Sequence, residues 1–142
     1  MSAQSESQSI SLEYELPHPP AKVWRALTDP ELLAKWLLSN DMRARVGERF
    51  TFKGPPTKWW DGTVHCEILE ADLHKRLRYS WRGGPVDTIV TFTLTATPSG
   101  GTHLAFEHSG FLPEQGAAIA GSRHGWSRML GGPLKEVLSQ IP

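Results

Sequence analysis

The sequence predicts an α+β fold in which a strongly bent antiparallel sheet packs one face against a long C-terminal helix. Apolar residues alternate or repeat in the order strand, two short helices, about six strands and one long helix. The strand segments are joined by short turns, and short turns cannot connect parallel strands. Strands and helices are therefore segregated along the chain, which is typical of α+β rather than doubly wound proteins.

The first strand and the two short helices are separated by prolines. Ile10–Leu16 alternates apolar and polar residues and predicts a half-buried strand. Pro20 is placed to open a helix in its first turn. Asp29 precedes Pro30 at the end of this helix and is a suitable N-cap for a second helix over Pro30–Leu38. A corner between two short helices follows.

A series of strand candidates separated by turn residues occupies the middle of the chain. Gly47-Glu48 is a plausible tight turn between the first two candidates, and Pro98–Gly101 is a hairpin turn between the last two. Thr88–Thr97 has the clearest alternation, with Val90, Phe92 and Leu94 on one face and Thr91, Thr93 and Thr95 on the other. The candidates are Met42–Val46, Arg49–Phe52, Gly62–Glu70, Arg76–Trp81, Thr88–Thr97 and His103–Ser109.

The tail has helical periodicity from Trp126 to Ile141. Pro113-Glu114 is a suitable start, which predicts a helix of about 25 residues. Gly131-Gly132-Pro133 lies inside it. Because proline removes a backbone hydrogen bond, this tripeptide should kink or interrupt the helix.

Length and composition predict one globular domain. The 142 residues carry 15 basic and 15 acidic side chains, so net charge favours neither nucleic acid nor an anionic membrane as a partner. No apolar run is long enough for a transmembrane helix. Residues 1–9 are polar and predict a flexible leader without signal-peptide character, and residues 10–142 form the domain. We expect a cytoplasmic protein.

Six tryptophans distributed along the chain admit two interpretations. They can form an ordinary tryptophan-rich core, since indoles contribute much buried area. They can also line an aromatic cavity, because ligand pockets favour such side chains. The consecutive Trp59 and Trp60 beside a proline-rich loop are candidates for a pocket lid, or for a cover over the open end of the sheet.

The residues that could perform chemistry are few. Cys66 is the one cysteine, and no histidine pair has metal-ligand spacing, so neither a metal nor a cofactor is expected. No nucleophile-elbow or zinc-protease motif is present. His108, on the predicted inner face, and His124, on the long helix, would form an acid–base pair if both reached a cavity. The alternative is a pair of hydrogen-bonded core or rim histidines.

Several segments in order resemble one superfamily. The run Pro20–Trp36 (PAKVWRALTDPELLAKW) resembles the opening of START-like, helix-grip proteins. More narrowly, it is similar to the domain shared with the C-terminal half of the activator of the heat-shock-protein 90 ATPase. Gly47–Phe50, Thr91–Leu94, His108–Phe111 and Gly125–Leu134 resemble the later family segments. The similarity spans essentially the whole chain, from Ile10 to about Gln140.

This resemblance implies a curved sheet of about six or seven strands that grips the long helix, with a cavity between them. We therefore expect a binding module that holds a small apolar or aromatic molecule, with no reaction assigned. The expected lining residues lie on the inner faces of the sheet and helices: Trp36, Phe52, Cys66, Tyr79, Trp81, Phe92, Phe106, His108, His124, Trp126 and Met129.

Two other functions stay open at this point. The first is a cyclase or aromatase-like enzyme, which other branches of the superfamily resemble and which would use the cavity histidines and Tyr79. The second is a partner of the heat-shock-protein 90 chaperone. The chain shows no counterpart to the leading motif of the eukaryotic activator, so nothing in the sequence supports this second function.

Overall fold

In the computed structural model, residues 8–58 and 60–141 are described, and they form one seven-stranded antiparallel sheet with four helical segments. The sheet is curved, with the strand order β1-β7-β6-β5-β4-β3-β2. The predicted α+β class is confirmed. In chain order, the elements are β1 (Gln8–Leu16), α1 (Pro20–Thr28), α2 (Pro30–Trp36), β2 (Ser39–Asn40), β3 (Arg49–Lys53), β4 (Thr63–Asp72), β5 (Arg76–Gly83), β6 (Val86–Ala96), β7 (Thr102–Phe111), α3 (Gly116–Gly131) and α4 (Pro133–Gln140).

The N-terminal strand begins earlier than the sequence predicted. Gln8 and Ser9, assigned to the leader, lie in β1, which pairs with β7 along its whole length. The rest of the leader lies outside the described residues, as does Trp59. The strand therefore includes two residues that polar composition alone assigns to a tail.

The corner between α1 and α2 forms as the sequence predicted. Pro20 opens α1, and the Asp29 backbone N–H closes it by donating to Arg25 O. The Asp29 carboxylate then accepts hydrogen bonds from the N–H groups of Glu31 and Leu32, at 2.9 and 3.5 Å. Because these N–H groups have no partner inside the helix, the side chain satisfies them and fixes where α2 begins.

The strand predicted over Met42–Val46 is wrong. Strand pairing occurs instead at Ser39–Asn40, and the chain from 41 to 48 is irregular. Side chains supply the reason, since Asp41 Oδ1 accepts from Thr51 N–H at 2.7 Å and Asn40 Oδ1 accepts from Met42 N–H at 3.0 Å. Such local hydrogen bonds compete with a regular ladder.

The alternating patterns of β4 to β7 place their apolar residues on the inner face. Val64, Cys66 and Ile68 are buried while His65 between them is exposed. Pairing with β5 shifts between Ile68 and Glu70, and Leu69 at this bulge is 41% exposed. The predicted inner and outer faces are therefore confirmed, with a local irregularity at one residue.

The C-terminal helix is interrupted where the sequence predicted, and it starts later than predicted. Gly132, with φ −133° and ψ −83°, separates α3 from α4, and Pro133 opens α4. The helix begins at Gly116 rather than at Pro113, because the Gln115 side chain accepts from Leu112 N–H at 2.8 Å and holds the preceding turn. The tail is therefore two helical segments, α3 and α4, rather than one continuous helix.

The core lies between the inner face of the sheet and the four helical segments, each of which contributes buried apolar residues. Helix α4 buries Leu134, Val137 and Leu138. Trp36 of α2 is buried and donates its indole N–H to Ala26 O at 2.8 Å. Within the described residues, none of the helices has the length and apolar character needed to cross a bilayer.

Candidate functional site

The aromatic rings on the inner face of the sheet pack on one another. Phe92 lies 5.1 Å from Phe106 and 6.1 Å from Tyr79 between ring centroids, and Phe52 lies 6.1 Å from Tyr79. All four side chains are at most 2% exposed. The prediction that these four rings line a hollow is therefore wrong for the described structure. Since adjacent strands bring them into ring-to-ring contact, they form the core.

The polar groups expected beside these rings are buried in their neutral forms. Burial raises the pKa of the Cys66 thiol well above its ordinary range, and the nearby Asp41 carboxylate adds to this effect. Burial also raises the pKa of Tyr79, with a further contribution from Cys66. Neither group is ionised near neutrality, so neither supplies a nucleophile or a base there. Trp36, also expected in the cavity, belongs to the α1–α2 packing described above.

His108 occupies the centre of a buried hydrogen-bond chain that joins three strands to α3. The indole Nε1–H of Trp126 donates to His108 Nδ1 at 3.0 Å. His108 Nε2 lies 2.7 Å from Thr88 Oγ1, which itself donates to the main-chain oxygen of Trp81 at 2.9 Å. Because Nδ1 accepts a hydrogen bond, the proton of the neutral ring is on Nε2, and all four groups are satisfied.

The same environment keeps His108 uncharged. Its burial lowers its pKa from 6.5 to about 4. A second proton on Nδ1 would also meet the N–H of Trp126, so protonation would replace a hydrogen bond with two opposed donors. His108 therefore positions Trp126 and does not act as an acid or base near neutral pH.

His124 does not reach the interior. It is exposed on α3, two residues before Trp126, and residues two apart lie on different faces of a helix. The predicted lining role of His124 is wrong for this reason. The pair of histidines on which an acid–base mechanism depended is divided between the core and the solvent.

An apolar cleft opens where α3 passes the end of β5 and the segment after α2. Its volume is about 190 Å³. Four α3 residues face it at positions i, i+3, i+4 and i+7, which is one face of a helix. We call it the α3 cleft, and its lining residues are Leu37, Leu38, Trp81, Ser122, Gly125, Trp126 and Met129.

Two indoles form the aromatic wall of the α3 cleft. The rings of Trp81 and Trp126 lie 5.2 Å apart at an interplanar angle of 59°. Trp126 is also 4.5 Å from Phe106, so the wall is continuous with the core. The hydrogen-bond chain through His108 fixes the Trp126 ring, and therefore this wall is held in place before any ligand arrives.

Three of the predicted lining residues meet in the α3 cleft: Trp81, Trp126 and Met129. Sequence reasoning missed the other four. Ser122 and Gly125 share the helical spacing of Trp126 and Met129, so the sequence did contain a signal for them. Leu37 and Leu38 follow α2, and only the packing of the chain brings them to the site. The sequence also contained a signal that Thr88, the partner of His108, faces inward, because Thr88 alternates in phase with Val90 and Phe92.

Grooves of greater volume lie elsewhere on the surface. One of about 340 Å³ has a mixed lining that includes Arg49, His65 and Glu67 together with Phe50 and the predicted lining residue Cys66. Arg49 and Glu67 pair with each other at 3.6 Å, while their side chains remain 85% and 42% exposed. In the described residues, no group of three or more His, Cys, Asp or Glu side chains is arranged to hold a metal ion.

Comparison with known proteins identifies the family. The family described as "Activator of Hsp90 ATPase homolog 1-like protein", AHSA1, matches residues 17–139. The chain belongs to the AHSA1 family. The matched region includes both helices of the capped corner, the sheet from β2 to β7, and nearly all of the C-terminal helices. No curated protein sequence matches the chain.

Solved structures agree with the AHSA1 assignment. The protein MLL2253 from Mesorhizobium loti is 38% identical, with a TM-score of 0.84 over 95% of this chain and 99% of that chain. NE0264 from Nitrosomonas europaea is 26% identical, with a TM-score of 0.77 over 99% and 97%. CalU16 from Micromonospora echinospora is 24% identical, with a TM-score of 0.78 over 94% and 78%, and shows the shared fold alone.

Proposed function

We propose that this AHSA1-family protein binds a small hydrophobic or aromatic molecule in the α3 cleft, without transforming it. The supporting observation is the apolar wall of the α3 cleft, in which Trp81 and Met129 are partly exposed and the buried Trp126 is fixed by its hydrogen bond to His108. Ligand sites are typically concave and mostly apolar, with few polar groups. The site is a cleft beside α3 rather than the enclosed internal cavity that the resemblance suggested.

Burial energetics support this role. A planar ligand that covers the exposed parts of these side chains removes apolar surface from water, at about 25 cal/mol per Å². The wall is already rigid, so little entropy is lost in arranging it. Apolar side chains left open to water beside a tightly packed core are what a binding site requires.

The test uses N-phenyl-1-naphthylamine, an uncharged apolar fluorescent dye whose single phenyl ring can enter the cleft, and follows energy transfer from the tryptophans. We expect saturable binding to the wild-type protein. Gly125→Leu should weaken this binding at least tenfold, because the new side chain extends from the face of α3 that lines the cleft. A Cβ at Gly125 meets Met129 Cε at 3.9 Å, so the backbone accepts the substitution.

Gly121→Leu is the matched control. It is on the same helix and is the same chemical change, but a Cβ there meets nothing within 4 Å and Gly121 does not line the cleft. It should leave dye affinity unchanged. If the dye fails to bind, or if Gly125→Leu binds it as the wild type does, the α3 cleft is not the binding site.

The cyclase or aromatase-like alternative has lost the residues on which it depended. Of the candidates, His108 is hydrogen-bonded at both ring nitrogens, His124 is on the solvent side of α3, and Tyr79 is buried in the core.

A role as a chaperone partner stays a prediction, to be tested by measuring the ATPase rate of heat-shock protein 90 with and without this protein. We also propose a cytoplasmic location, because the buried free thiol of Cys66 suits a reducing compartment.

A further inference from the structure

We propose that the α3 cleft selects neutral single-ring aromatic molecules that carry a hydroxyl group, that is, phenols. This inference rests on the proposed function and adds to it the chemical class of the ligand. Its support comes from four properties of the lining: its volume, its lack of charge, its aromatic wall, and two side chains whose polar groups have no protein partner.

The volume of the cleft limits the ligand to one ring with a small substituent. A cavity of roughly 150 Å³ is enough to hold benzene in a protein interior, whereas pockets for drug-sized molecules start at roughly 300 Å³. The α3 cleft, at about 190 Å³, belongs to the first class. A long acyl chain or a fused polycyclic molecule can enter only in part, by one ring or end, and leaves the rest of its surface in water.

The lining excludes charged ligands. Among its seven residues there is no Asp, Glu, Lys, Arg or His. Arg123 and His124 are close in sequence, but both are exposed and absent from the lining. A carboxylate or ammonium group in the cleft would lose hydration without gaining a counter-ion, which is unfavourable. The ligand is therefore neutral.

The wall favours an aromatic ring over a saturated one. Trp81 and Trp126 present indole rings tilted by 59°. Aromatic pairs prefer such tilted or offset contacts, and the thioether of Met129 interacts favourably with a ring edge. A saturated ring of the same size gains the burial but not these contacts.

Two hydrogen-bonding groups in the cleft have no protein partner. Among the hydrogen bonds of residues 8–58 and 60–141, none involves Trp81 Nε1 or Ser122 Oγ, and neither atom is a buried unpaired group. Both therefore reach solvent. Trp126 Nε1 differs, because His108 already accepts its hydrogen bond. Because Trp81 and Ser122 both line the cleft, we infer that this N–H and this hydroxyl are the polar groups available to a ligand there.

A phenol matches this pair. Its oxygen can accept from Trp81 Nε1–H, and its O–H can donate to Ser122 Oγ. Benzene would displace the water from both groups and leave them unpaired, and a site with unpaired polar groups discriminates against such an analogue. We expect phenol to bind about tenfold more tightly than benzene, which is the factor that one net hydrogen bond supplies.

The test measures four probes by titration: phenol, benzene, cyclohexanol and benzoate. Binding is followed through the ¹H–¹⁵N signals of the indole N–H groups, so that Trp81 reports the contact directly. Phenol should shift the Trp81 signal saturably and bind most tightly. Benzoate should bind most weakly, because of its charge.

Two variants assign the preference to the proposed atoms. Trp81→Phe keeps an aromatic ring and removes the N–H, and Ser122→Ala removes the hydroxyl. Each should reduce the ratio of phenol to benzene affinity towards one. Ser127→Ala is on the same helix but outside the lining, and it should leave the ratio unchanged. Thermal melts confirm that each variant is folded.

The outcomes separate this inference from the proposed function. If the fluorescent dye binds at the cleft but phenol shows no advantage over benzene or cyclohexanol, the phenol inference is overturned and the binding function stands. If the advantage persists in Trp81→Phe and Ser122→Ala, the two atoms are not its source and the inference is overturned. If neither the dye nor any single-ring probe binds, the proposed function itself fails.

Discussion

Acidification should destabilise this protein through His108, and the size of the effect follows from its environment. The His108 ring is 0% exposed, and its pKa falls from 6.5 to about 4 on folding. Between these values the unfolded chain binds a proton that the folded chain does not. The free energy of unfolding therefore rises with pH across this window and falls as the pH decreases from about 6.5 to 4.

The magnitude is about 3 kcal/mol. A difference of one in pKa between the folded and unfolded states corresponds to about 1.4 kcal/mol, and the pKa of His108 is lowered from 6.5 to about 4. The loss is nearly complete at pH 4 and almost absent at pH 7. For a domain whose total stability is about 5–15 kcal/mol, this is a large share.

The assay is urea unfolding at a series of pH values from 7 to 4, for the wild-type protein and for His108→Asn. The asparagine oxygen can accept from Trp126 N–H in place of Nδ1, but the side chain does not titrate. The stability difference between the two proteins should therefore shrink by about 3 kcal/mol as the pH falls from 7 to 4. Other titrating groups contribute equally to both proteins and cancel.

The comparison with His108→Asn is needed because another histidine, His103, changes the free energy of unfolding in the opposite direction with pH. Hydrogen bonding to Glu15 raises the pKa of His103, with Glu13 as a second partner. Its contribution is present at low pH and is lost as the pH rises through its folded-state pKa. His103→Gln should therefore retain the acid destabilisation from His108. If the difference in the free energy of unfolding between the wild type and His108→Asn stays constant from pH 7 to 4, the conclusion that His108 is buried in its neutral form is refuted.

Two further predictions concern the loops and α3. Gly62→Ala should destabilise the protein by about 1–3 kcal/mol, because φ at Gly62 is +85° and a Cβ there would lie 2.4 Å from Gly54 O. In Gly116→Ala the new Cβ meets nothing within 4 Å, so this variant should be slightly more stable than the wild type. Thermal unfolding measures both. Equal melting temperatures for the two variants would contradict this account. In native-state hydrogen exchange, the backbone amides of α3 before Trp126 should exchange at least tenfold faster than the amide of Leu130, because Trp126 and Leu130 are the buried residues of α3. A ligand bound in the cleft should slow the exchange of these earlier amides. Uniform exchange along α3 would contradict this prediction.

Much of the fold follows from local sequence patterns. Predictions from these patterns were correct where the deciding interactions join residues that are close in sequence. The Asp29 cap needs only the N–H groups two and three residues away, and the interruption before Pro133 needs only the missing proline N–H. Strand faces follow from the two-residue period of a strand. The Met42–Val46 strand was wrong because polar side chains at positions 40 and 41 satisfy the backbone in another way.

The candidate site could be predicted only in part. The helical spacing of Ser122, Gly125, Trp126 and Met129 is visible in the sequence, and the same spacing would have excluded His124. The hydrogen bond between Thr88 and His108 joins residues 20 apart, and it depends on the pairing of β6 with β7. No local pattern specifies it.

The amino-acid sequence by itself determined which strand residues face inward, where α1 and α2 begin, where the C-terminal helix breaks, and that aromatic rings would be concentrated on the inner face of the sheet. The tertiary structure alone decided whether those rings enclose space or fill it. Alternation fixes the side of a strand from which a ring projects, but ring-to-ring distances of about 5 Å depend on sheet curvature and on where α3 lies. For this reason most of the expected lining became core, and the open apolar surface is found beside α3.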